Sequence, residues 1–383
     1  MFDIPLAWLQ LTRERARLLA AASGVAFAVL LVFMQLGIRD ALYDSAVRLH
    51  RALTADIVLI HPQSSYLVMM KPFSHRRLYQ ASGFEGVESV SPLYATTALW
   101  KNPVNGGTRI VFILGFDPSD RVLSLPEVNR QRAKLRVPDV LLFDEDSRPE
   151  YGPIAAEVRA GKAVATDVGY RHTKVAGLFK LGTSFGIDGT VITSAANFLR
   201  LVPQRPKGLI DLGLIRLRPG TDANVVRNVL AANLPADVEV LTQAGFVHRE
   251  ISYWAKSTPI GFSTTFGAVM GMVVGLVIVY QILFADISDH LAEYATLKAI
   301  GYTNRYLFGV VLQEATILAV LGFIPGWALS AWLYRLTENA TRLPMQMTIG
   351  LVGTVLVLTI AMCALSGAIA LRKVSSADPA EVF

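Results

Sequence analysis

The chain has 383 residues, of which 52% are hydrophobic and 17% are charged. Soluble domains usually carry ~25% charged residues, so this composition disfavours a soluble enzyme and favours a membrane protein. The formal net charge of +6 is modest and no basic block occurs, so no nucleic-acid partner is expected. The only cysteine, Cys363, lies in an apolar run, which excludes an intramolecular disulfide.

The N-terminal segment predicts an interfacial helix followed by a membrane span. Residues 1–17 contain Pro5, Trp8 and several arginines, a combination typical of a cytoplasmic helix among lipid headgroups. A plain helical extension of the first span is the alternative. Residues 18–38 carry no charge, and at ~1.5 Å per residue they can cross a ~30 Å hydrocarbon core. A cleaved signal peptide is the alternative, but its apolar core would be shorter. We expect an uncleaved first span that continues outward as a stalk helix, together occupying 18–54.

Residues 55–119 predict the first part of an extracytoplasmic α/β subdomain. The segments ADIVLI, VESVSPLYATTALW and TRIVFILGF have the composition of strands, and FSHRRLYQASGF that of a helix ending near Gly83. The last two strands are separated by KNPVNGG, whose Asn105-Gly106 dipeptide is typical of a hairpin turn.

The rest of this external domain predicts an insert and a second α/β part. Short strand-like runs, among them KAVATDVGY and GTVITS, predict a β-rich insert subdomain over 120–205. Over 206–243, LGLIRLRPG and VEVLT predict strands that flank a helix capped by Thr221 or Asp222. The apolar stripe of that helix is predicted at Val225, Val226, Val229 and Leu230. This order predicts a split βαβ layer with a β-rich insert.

Three further apolar runs are long enough to span a membrane. The predicted fold class is therefore an α-helical membrane protein with four transmembrane helices and a large α+β extracytoplasmic domain. The C-terminal part divides, in order, into a stalk and second span at 244–286, a cytoplasmic coupling helix at 287–304, a third span at 305–334, an external loop at 335–346, a fourth span at 347–371 and a cytoplasmic tail at 372–383.

Basic residues beside the spans predict the orientation. Arg13, Arg15 and Arg17 precede the first span, and Arg372 and Lys373 follow the last. Both termini are therefore expected in the cytoplasm, with the chain in a bacterial inner membrane. The large domain is then expected outside, in the periplasm if the cell is Gram-negative.

The sequence contains no assembled catalytic motif, so the chain is not expected to be an enzyme. No HExxH pattern occurs, and Gly161-Lys162 lacks the spacing of a P-loop. We therefore expect no ATPase domain and no metal or cofactor bound by this chain. Asp144, Glu145 and Asp146 predict a solvated acidic loop, with paired acid–base chemistry as the alternative.

Small residues recur at four-residue intervals within the spans. The glycines of these ridges are Gly24 in the first span, Gly267, Gly271 and Gly275 in the second, and Gly322 and Gly326 in the third. Such ridges let helix backbones approach closely. The pattern predicts either packing within one chain or a homodimer seam.

Glu314 is the one acid inside a predicted span, ~13 Å from the inner edge by helix rise. An ionisable side chain at that depth is costly and indicates a partner or a wet crevice. The adjacent Gln313 favours a structural hydrogen bond to a neighbouring helix, and a proton- or substrate-handling role is the alternative.

The polar segment between the second and third spans is too long for a simple turn. Helix–helix connections usually take 2–8 residues, whereas DISDHLAEYATLKAIGYTNR has helical spacing and Gly301 fits a helix stop. A plain connector is one interpretation, and a helix that docks into the groove of a partner is the sharper one.

EYATLKAIG resembles the coupling segment REIGLLKAIG of the FtsX-like, MacB-type permeases of ABC transporters. The order of one span, a large domain and three spans is similar to theirs, as is the DPAE sequence at 378–381. Longer stretches, among them IPLAWLQLTRERARLL and FSHRRLYQASGFEGVESVSPLY, resemble the DevC-type permeases of heterocyst glycolipid exporters. The arginine that opens the family's coupling motif is replaced by His290 or Ala292, or is absent.

The resemblance implies a homodimer of this chain paired with two copies of a separate cytoplasmic ABC ATPase, which binds the ATP and Mg. The implied contact residues of the coupling helix are Glu293, Tyr294, Leu297, Lys298, Ala299, Ile300 and Gly301. Closure of the ATPase would move the external domain by mechanotransmission. A lipid or other amphiphilic substrate, such as a glycolipid, would leave through a periplasmic adaptor (a membrane fusion protein) and a TolC-like outer-membrane channel, as in tripartite efflux.

Two other functions stay open. The first is an FtsX-like, non-transporting signalling subunit that activates a periplasmic hydrolase or sensor. The second is a membrane-anchored enzyme, which the lack of a catalytic motif disfavours. The size of the external domain favours adaptor docking and therefore export.

Overall fold

The computed structural model describes residues 15–289, 296, 300, 303–341 and 343–375. Two compact units make up the chain: a helical unit of Met1–Ala41 with Pro259–Phe383, and the head domain, Leu42–Thr258. The predicted interfacial helix at 1–17 and the tail at 372–383 lie mostly outside the described residues.

The regular elements of the described residues are numbered in chain order. The α-helices are α1 Arg15–Ala46, α2 Arg48–Ala52, α3 His75–Ser82, α4 Pro126–Gln131, α5 Ile154–Arg159, α6 Ala195–Leu201, α7 Ala223–Asn233, α8 Gln243–Lys256, α9 Pro259–Asp289, α10 Asn304–Thr341 and α11 Ile349–Ser375. The β-strands are β1 Ile57–Ile60, β2 Phe73–Ser74, β3 Val87–Lys101, β4 Thr108–Phe116, β5 Val140–Asp144, β6 Val164–Val168, β7 Arg171–Phe179, β8 Thr190–Ser194, β9 Leu209–Ile210, β10 Leu212–Leu217 and β11 Glu239–Thr242.

Four helices of the described residues are long and apolar enough to cross a membrane: α1, α9, α10 and α11. The predicted number of span-length apolar helices is thus confirmed. Helix α10 continues to Thr341, so residues 335–341 of the predicted external loop are helical. Residues 335–341 contain neither glycine nor proline, and the first proline beyond them is Pro344.

The helical unit has its own core, formed where the four long helices face one another. Val25, Val29 and Phe33 of α1 are almost fully buried, as are Leu318 of α10 and Val355 of α11. The remaining faces of these helices stay apolar and exposed, as expected for surfaces that meet lipid.

The head domain is built on one nine-stranded sheet with the order β11-β1-β10-β3-β4-β8-β5-β7-β6. Strand β3 is long enough to belong to two parts of it: residues 87–93 pair with β10, and residues 94–101 pair with β4. Trp100 of β3 also pairs with Val168 of β6, which joins the last six strands of that order into a ring. The predicted hairpin over β3 and β4 is present, with its turn at residues 102–107.

Both faces of the sheet are covered at β1, the second strand of the sheet order. Every residue of β1 is buried. Successive residues of a strand point to opposite faces, and accordingly Ile57 and Leu59 belong to one apolar core whereas Val58 and Ile60 belong to the other. At β1 the sheet therefore lies between two apolar cores.

The prediction of a separate, mostly β insert over 120–205 needs correction. Strands β5 to β8 of this segment belong to the same sheet as β3 and β4, with β8 paired to β4 and β6 paired to β3. The segment also contains α4, α5 and α6. These helices have six or seven residues each, too few to show a helical period in the sequence.

Helix α7 is confirmed, with the Asp222 side chain accepting a hydrogen bond from the Asn224 backbone N–H. Its predicted stripe is half wrong. Val226 and Leu230 are buried, but Val225 is 59% exposed and Val229 is 44% exposed. Val226 and Leu230, four residues apart, face the sheet, whereas Val225 and Val229 lie on a neighbouring row of the helix that points to solvent.

Candidate functional site

Nearly all of the predicted coupling residues lie outside the described residues. This applies to Glu293, Tyr294, Leu297, Lys298, Ala299 and Gly301. Ile300 is described, and its side chain is 72% exposed. Its backbone N–H donates to the Thr296 carbonyl at 3.1 Å, the i to i−4 bond of a helical turn. An exposed isoleucine at this position is compatible with docking to a partner.

The two helices that flank the head domain in the chain, α1 and α9, lie in close contact within the helical unit. A Cβ atom at Gly267 of α9 would lie 2.5 Å from the Gln35 side chain, and one at Gly271 would lie 3.1 Å from Leu31. Further along, a Cβ at Gly275 would lie 2.5 Å from the Ala28 Cβ. Because these positions have no side chain, the two backbones approach closely over several turns.

The other predicted glycines have the same role. Gly24 of α1 faces Ile278 of α9. Gly326 of α10 faces the Ala26 carbonyl, and a Cβ there would lie 2.8 Å from it; Gly322 likewise faces α1 at Val25. All six glycines therefore have a packing role within this chain, and the homodimer seam remains a prediction.

An ion pair joins the ends of α1 and α9 that lie farthest from the head domain along the chain. Arg17 Nη2 lies 2.7 Å from Asp289 Oδ2, and the two side chains are 32% and 55% exposed. Asp289 lies near the start of the predicted coupling helix at 287–304 and is the last residue described before position 296. We call these two residues the coupling-end pair.

Within the head domain, a second contact joins α2, which follows α1 in the chain, to α8, which precedes α9. His50 Nε2 lies 3.4 Å from Glu250 Oε2, with side chains 0% and 5% exposed. Glu250 also accepts hydrogen bonds from the Leu67 backbone N–H at 3.0 Å and from Trp254 Nε1 at 2.9 Å. The His50 ring lies over Phe246, with ring centroids 4.3 Å apart. We call His50 and Glu250 the head pair.

Aromatic side chains extend this contact towards the loop after β7. Tyr66 stacks on Tyr253 with ring centroids 4.6 Å apart, and Phe185 packs edge-on against Trp254 at 5.4 Å. On the α2 side, Arg48 Nη1 donates to the Thr183 carbonyl at 3.3 Å. The loop at 180–187 is thus held by both helices.

The prediction of a solvated acidic loop at 144–146 is wrong for its first residue. Asp144 is fully buried and accepts backbone N–H bonds from Gly182 at 2.9 Å and from Leu181 at 3.1 Å. Burial raises the pKa of Asp144 to about 6, against the opposing effect of its backbone hydrogen bonds. Glu145 forms ion pairs with Arg159 and Lys180, and only Asp146 is exposed.

Glu314 is fully buried in α10, and both interpretations of its role remain predictions. Over the described parts of the chain, no group of three or more His, Cys, Asp or Glu side chains is placed to hold a metal ion. The sequence did not reveal the coupling-end pair or the head pair, since each joins residues distant in the chain.

Comparison with known proteins relates the C-terminal part to a permease family. Residues 265–379 match the FtsX-like permease C-terminal family. Two uncharacterized ABC transporter permeases of Mycobacterium tuberculosis, from strains CDC 1551 and H37Rv, are each 21% identical over 320 residues, which is 82% of this chain and 79% of theirs.

Among solved structures, the periplasmic region of MacB from Actinobacillus actinomycetemcomitans is 11% identical, and the match covers 50% of this chain and 91% of that one with a TM-score of 0.34. The extracellular domain of the noncanonic ABC-type transporter YknZ from Gram-positive bacteria is also 11% identical, with 49% and 99% covered and a TM-score of 0.34. By sequence, residues 265–379 are therefore similar to the FtsX-like permease C-terminal family, and 82% of the chain is similar to ABC transporter permeases.

Proposed function

We propose that this chain is the permease subunit of a MacB-type ABC exporter, in which a separate cytoplasmic ATPase binds and hydrolyses ATP and thereby moves the head domain outside the membrane. The chain would work as a homodimer in a bacterial inner membrane, with both termini in the cytoplasm. The cargo would be a glycolipid or another amphiphile. It would pass to a periplasmic adaptor and a TolC-like channel, as the DevC-type resemblance implies.

The observation that carries this proposal is the way the head domain is attached. The head is inserted in the chain between α1 and α9, so both of its connections are span-length helices. These two helices are tied at the coupling end by Arg17 and Asp289. Within the head, the segments that follow α1 and precede α9 are in contact through His50 and Glu250.

This attachment suits a mechanical subunit. Asp289 lies near the start of the predicted coupling helix, so a displacement of that helix would act on it directly. The ion pair would pass the displacement to Arg17, and the close glycine contacts would make α1 and α9 move together. The energy would come from the different affinities of the two ATPase states for the coupling segment.

Copurification from native membranes tests the proposal. The full chain is isolated with its partners, which are identified by mass spectrometry together with bound lipids. We expect an ABC ATPase, a membrane fusion protein and an outer-membrane channel. Recovery of the ATPase with a cell-wall hydrolase or a sensor would favour the signalling function instead. Recovery of the chain without any ATPase would contradict both.

A substitution tests the coupling residues directly. We expect Leu297→Asp or Ile300→Asp to leave insertion and folding intact but to uncouple ATP hydrolysis from export, because a charge would be buried unpaired at the docking contact. Val104→Asp is a matched control, since Val104 is a 68% exposed apolar residue in the head hairpin turn. Normal ATP-dependent export by both coupling variants would contradict the assignment.

A further inference from the structure

The head domain contains a second feature, a cavity that the proposed function does not use. Its volume is about 330 Å³, and it lies between the sheet and the loop at 119–122. Small-molecule sites commonly occupy ~300–1,000 Å³, so the cavity can hold a small ligand or a headgroup.

The floor of the cavity is one face of the β3–β10 pair. Ser89 lies opposite Arg216 and Ser91 lies opposite Leu214 in the strand register. Since alternate residues of a strand share a face, these four side chains point to the same side. All four line the cavity. Neither serine hydroxyl makes a hydrogen bond to the described residues, so both are available to a ligand.

The walls concentrate positive charge. Arg121, Arg132 and Arg216 line the cavity, and Asp120 is the only carboxylate among the lining residues. Among the described residues, Arg216 pairs with Glu88 at 3.9 Å, and the single hydrogen bond of the Arg132 side chain goes to the Ser119 carbonyl, at 3.0 Å. Within the described chain the Arg121 guanidinium has no ion pair or hydrogen bond. A guanidinium has five N–H donors, so most of the donors here are unused.

The loop at 119–122, which carries Arg121, is held in place by hydrogen bonds. The Thr54 hydroxyl donates to the Arg121 carbonyl, and the Ser119 hydroxyl donates to Asp117 Oδ1 at 2.6 Å. Arg132 adds a third bond to the same loop through Ser119. The cavity wall is therefore fixed before any ligand arrives, which lowers the entropy cost of binding.

We propose that this cavity binds a phosphate-type oxyanion, with Arg121, Arg132 and Arg216 pairing its charge and Ser89 and Ser91 donating hydrogen bonds. Planar guanidinium groups match the geometry of phosphate oxygens and bind them in a bidentate manner. The phosphate can belong to a soluble phosphate ester or to a phospholipid headgroup. The inference goes beyond the proposed export function and does not depend on it.

Calorimetric titration of the full chain tests this site. The protein is kept in a phosphate-free maltoside detergent, and the probes are inorganic phosphate and glycerol 3-phosphate. We expect saturable binding with a Kd of about 1 mM or tighter, weakening as salt is added. Arg121→Gln, Arg132→Gln and Arg216→Gln should each weaken binding by about tenfold, the loss of one charge-assisted bidentate contact. Arg132→Lys should retain part of the affinity because it keeps the charge.

Arg130→Gln is the matched control. Arg130 precedes Arg132 by two residues, is 74% exposed and lies outside the cavity. The melting temperature of each variant checks that it folds. Absence of saturable binding to the wild-type chain up to about 10 mM of either probe would overturn the proposal. Equal weakening by Arg130→Gln and the cavity variants would also overturn it, because it would show a general charge effect.

A third probe separates the two sources of phosphate. Dihexanoyl phosphatidic acid that binds at least as well as glycerol 3-phosphate, with the same loss in the arginine variants, supports a lipid headgroup as the ligand. Binding of glycerol 3-phosphate without binding of the lipid supports a soluble ester. Either result supports the oxyanion site and distinguishes its occupant.

Discussion

The coupling-end pair and the head pair both link the chain that enters the head domain to the chain that leaves it, but they differ in burial. Arg17 and Asp289 are 32% and 55% exposed, whereas His50 and Glu250 are 0% and 5% exposed. Exposed ion pairs typically contribute 0–1 kcal/mol. A buried carboxylate that satisfies two N–H donors contributes more, since its loss leaves both donors unpaired.

The difference indicates how force would be handled at the two ends. At the head, the connection is fixed by buried hydrogen bonds and ring packing. At the coupling end, the contact is a solvent-exposed ion pair that can break and re-form at little cost. Under the proposed function, a firm contact at the head and an adjustable one near the ATPase would suit the transmission of movement.

The largest effect is expected at the head pair. Glu250→Ala leaves the Leu67 N–H and the Trp254 indole N–H without acceptors, and should destabilise the head domain by about 4 kcal/mol, at about 2 kcal/mol per donor. Hydrogen exchange of β1 and β11 in the full chain measures this. Glu88→Ala, at an exposed ion pair, is the control and should change stability by less than about 0.5 kcal/mol. Similar losses of stability in the two variants would contradict the larger contribution assigned to the buried carboxylate.

A pH-dependent effect of about 3 kcal/mol is expected from Asp144, which lies near the loop held by α2 and α8. Its folded pKa of about 6 is raised above the ordinary 3.8 by burial. The folded state therefore holds the proton more tightly, so this group's contribution to stability is highest at low pH and falls as the pH rises from about 4 to about 6.

Hydrogen exchange of β5 and β7, compared between wild type and Asp144→Asn from pH 4 to pH 7, measures this dependence. Wild type should lose stability relative to the variant as the pH rises. A gain instead would show that the backbone N–H bonds to Asp144 outweigh its burial.

In the helical unit we expect a loss of stability between those at the head pair and at the coupling-end pair. Gly322→Val puts a side chain against Val25 and within 2.9 Å of the Ala22 carbonyl, so α1 and α10 must separate, at about 1–3 kcal/mol. Gly353→Val in α11 meets no atom within 4 Å and is the matched control. A lower melting temperature for the first variant alone is the expected result.

The smallest stability effect and the sharpest functional one are expected at the coupling end. Arg17→Asp should lower stability by about 1 kcal/mol at most but reduce ATP-dependent export, since two acids would then repel each other. The exchanged pair Arg17→Asp with Asp289→Arg should restore export. Export that stays low in the exchanged pair, or that never falls in the single variant, would show that the pair does not transmit movement.

The local features of this protein are readable from its sequence because each depends on neighbouring residues. The four span-length helices follow from long uncharged runs, since only an α-helix satisfies its own backbone in such a segment. The strand pair β3–β4 follows from its composition and its turn dipeptide, and helix α7 from its Asp222 cap. The coupling segment was also recognised from local sequence, and its role stays a prediction.

Tertiary structure alone decided the rest, because these contacts join residues far apart in the chain. Arg17 and Asp289 are 272 residues apart, and Leu67 and Glu250 are 183 apart. No local pattern shows that Asp144 is buried, that Trp100 pairs with Val168, or that Arg121 shares a cavity with Arg216. Periodicity reports which face of an element is apolar, whereas the partner of that face is set only when the whole chain packs.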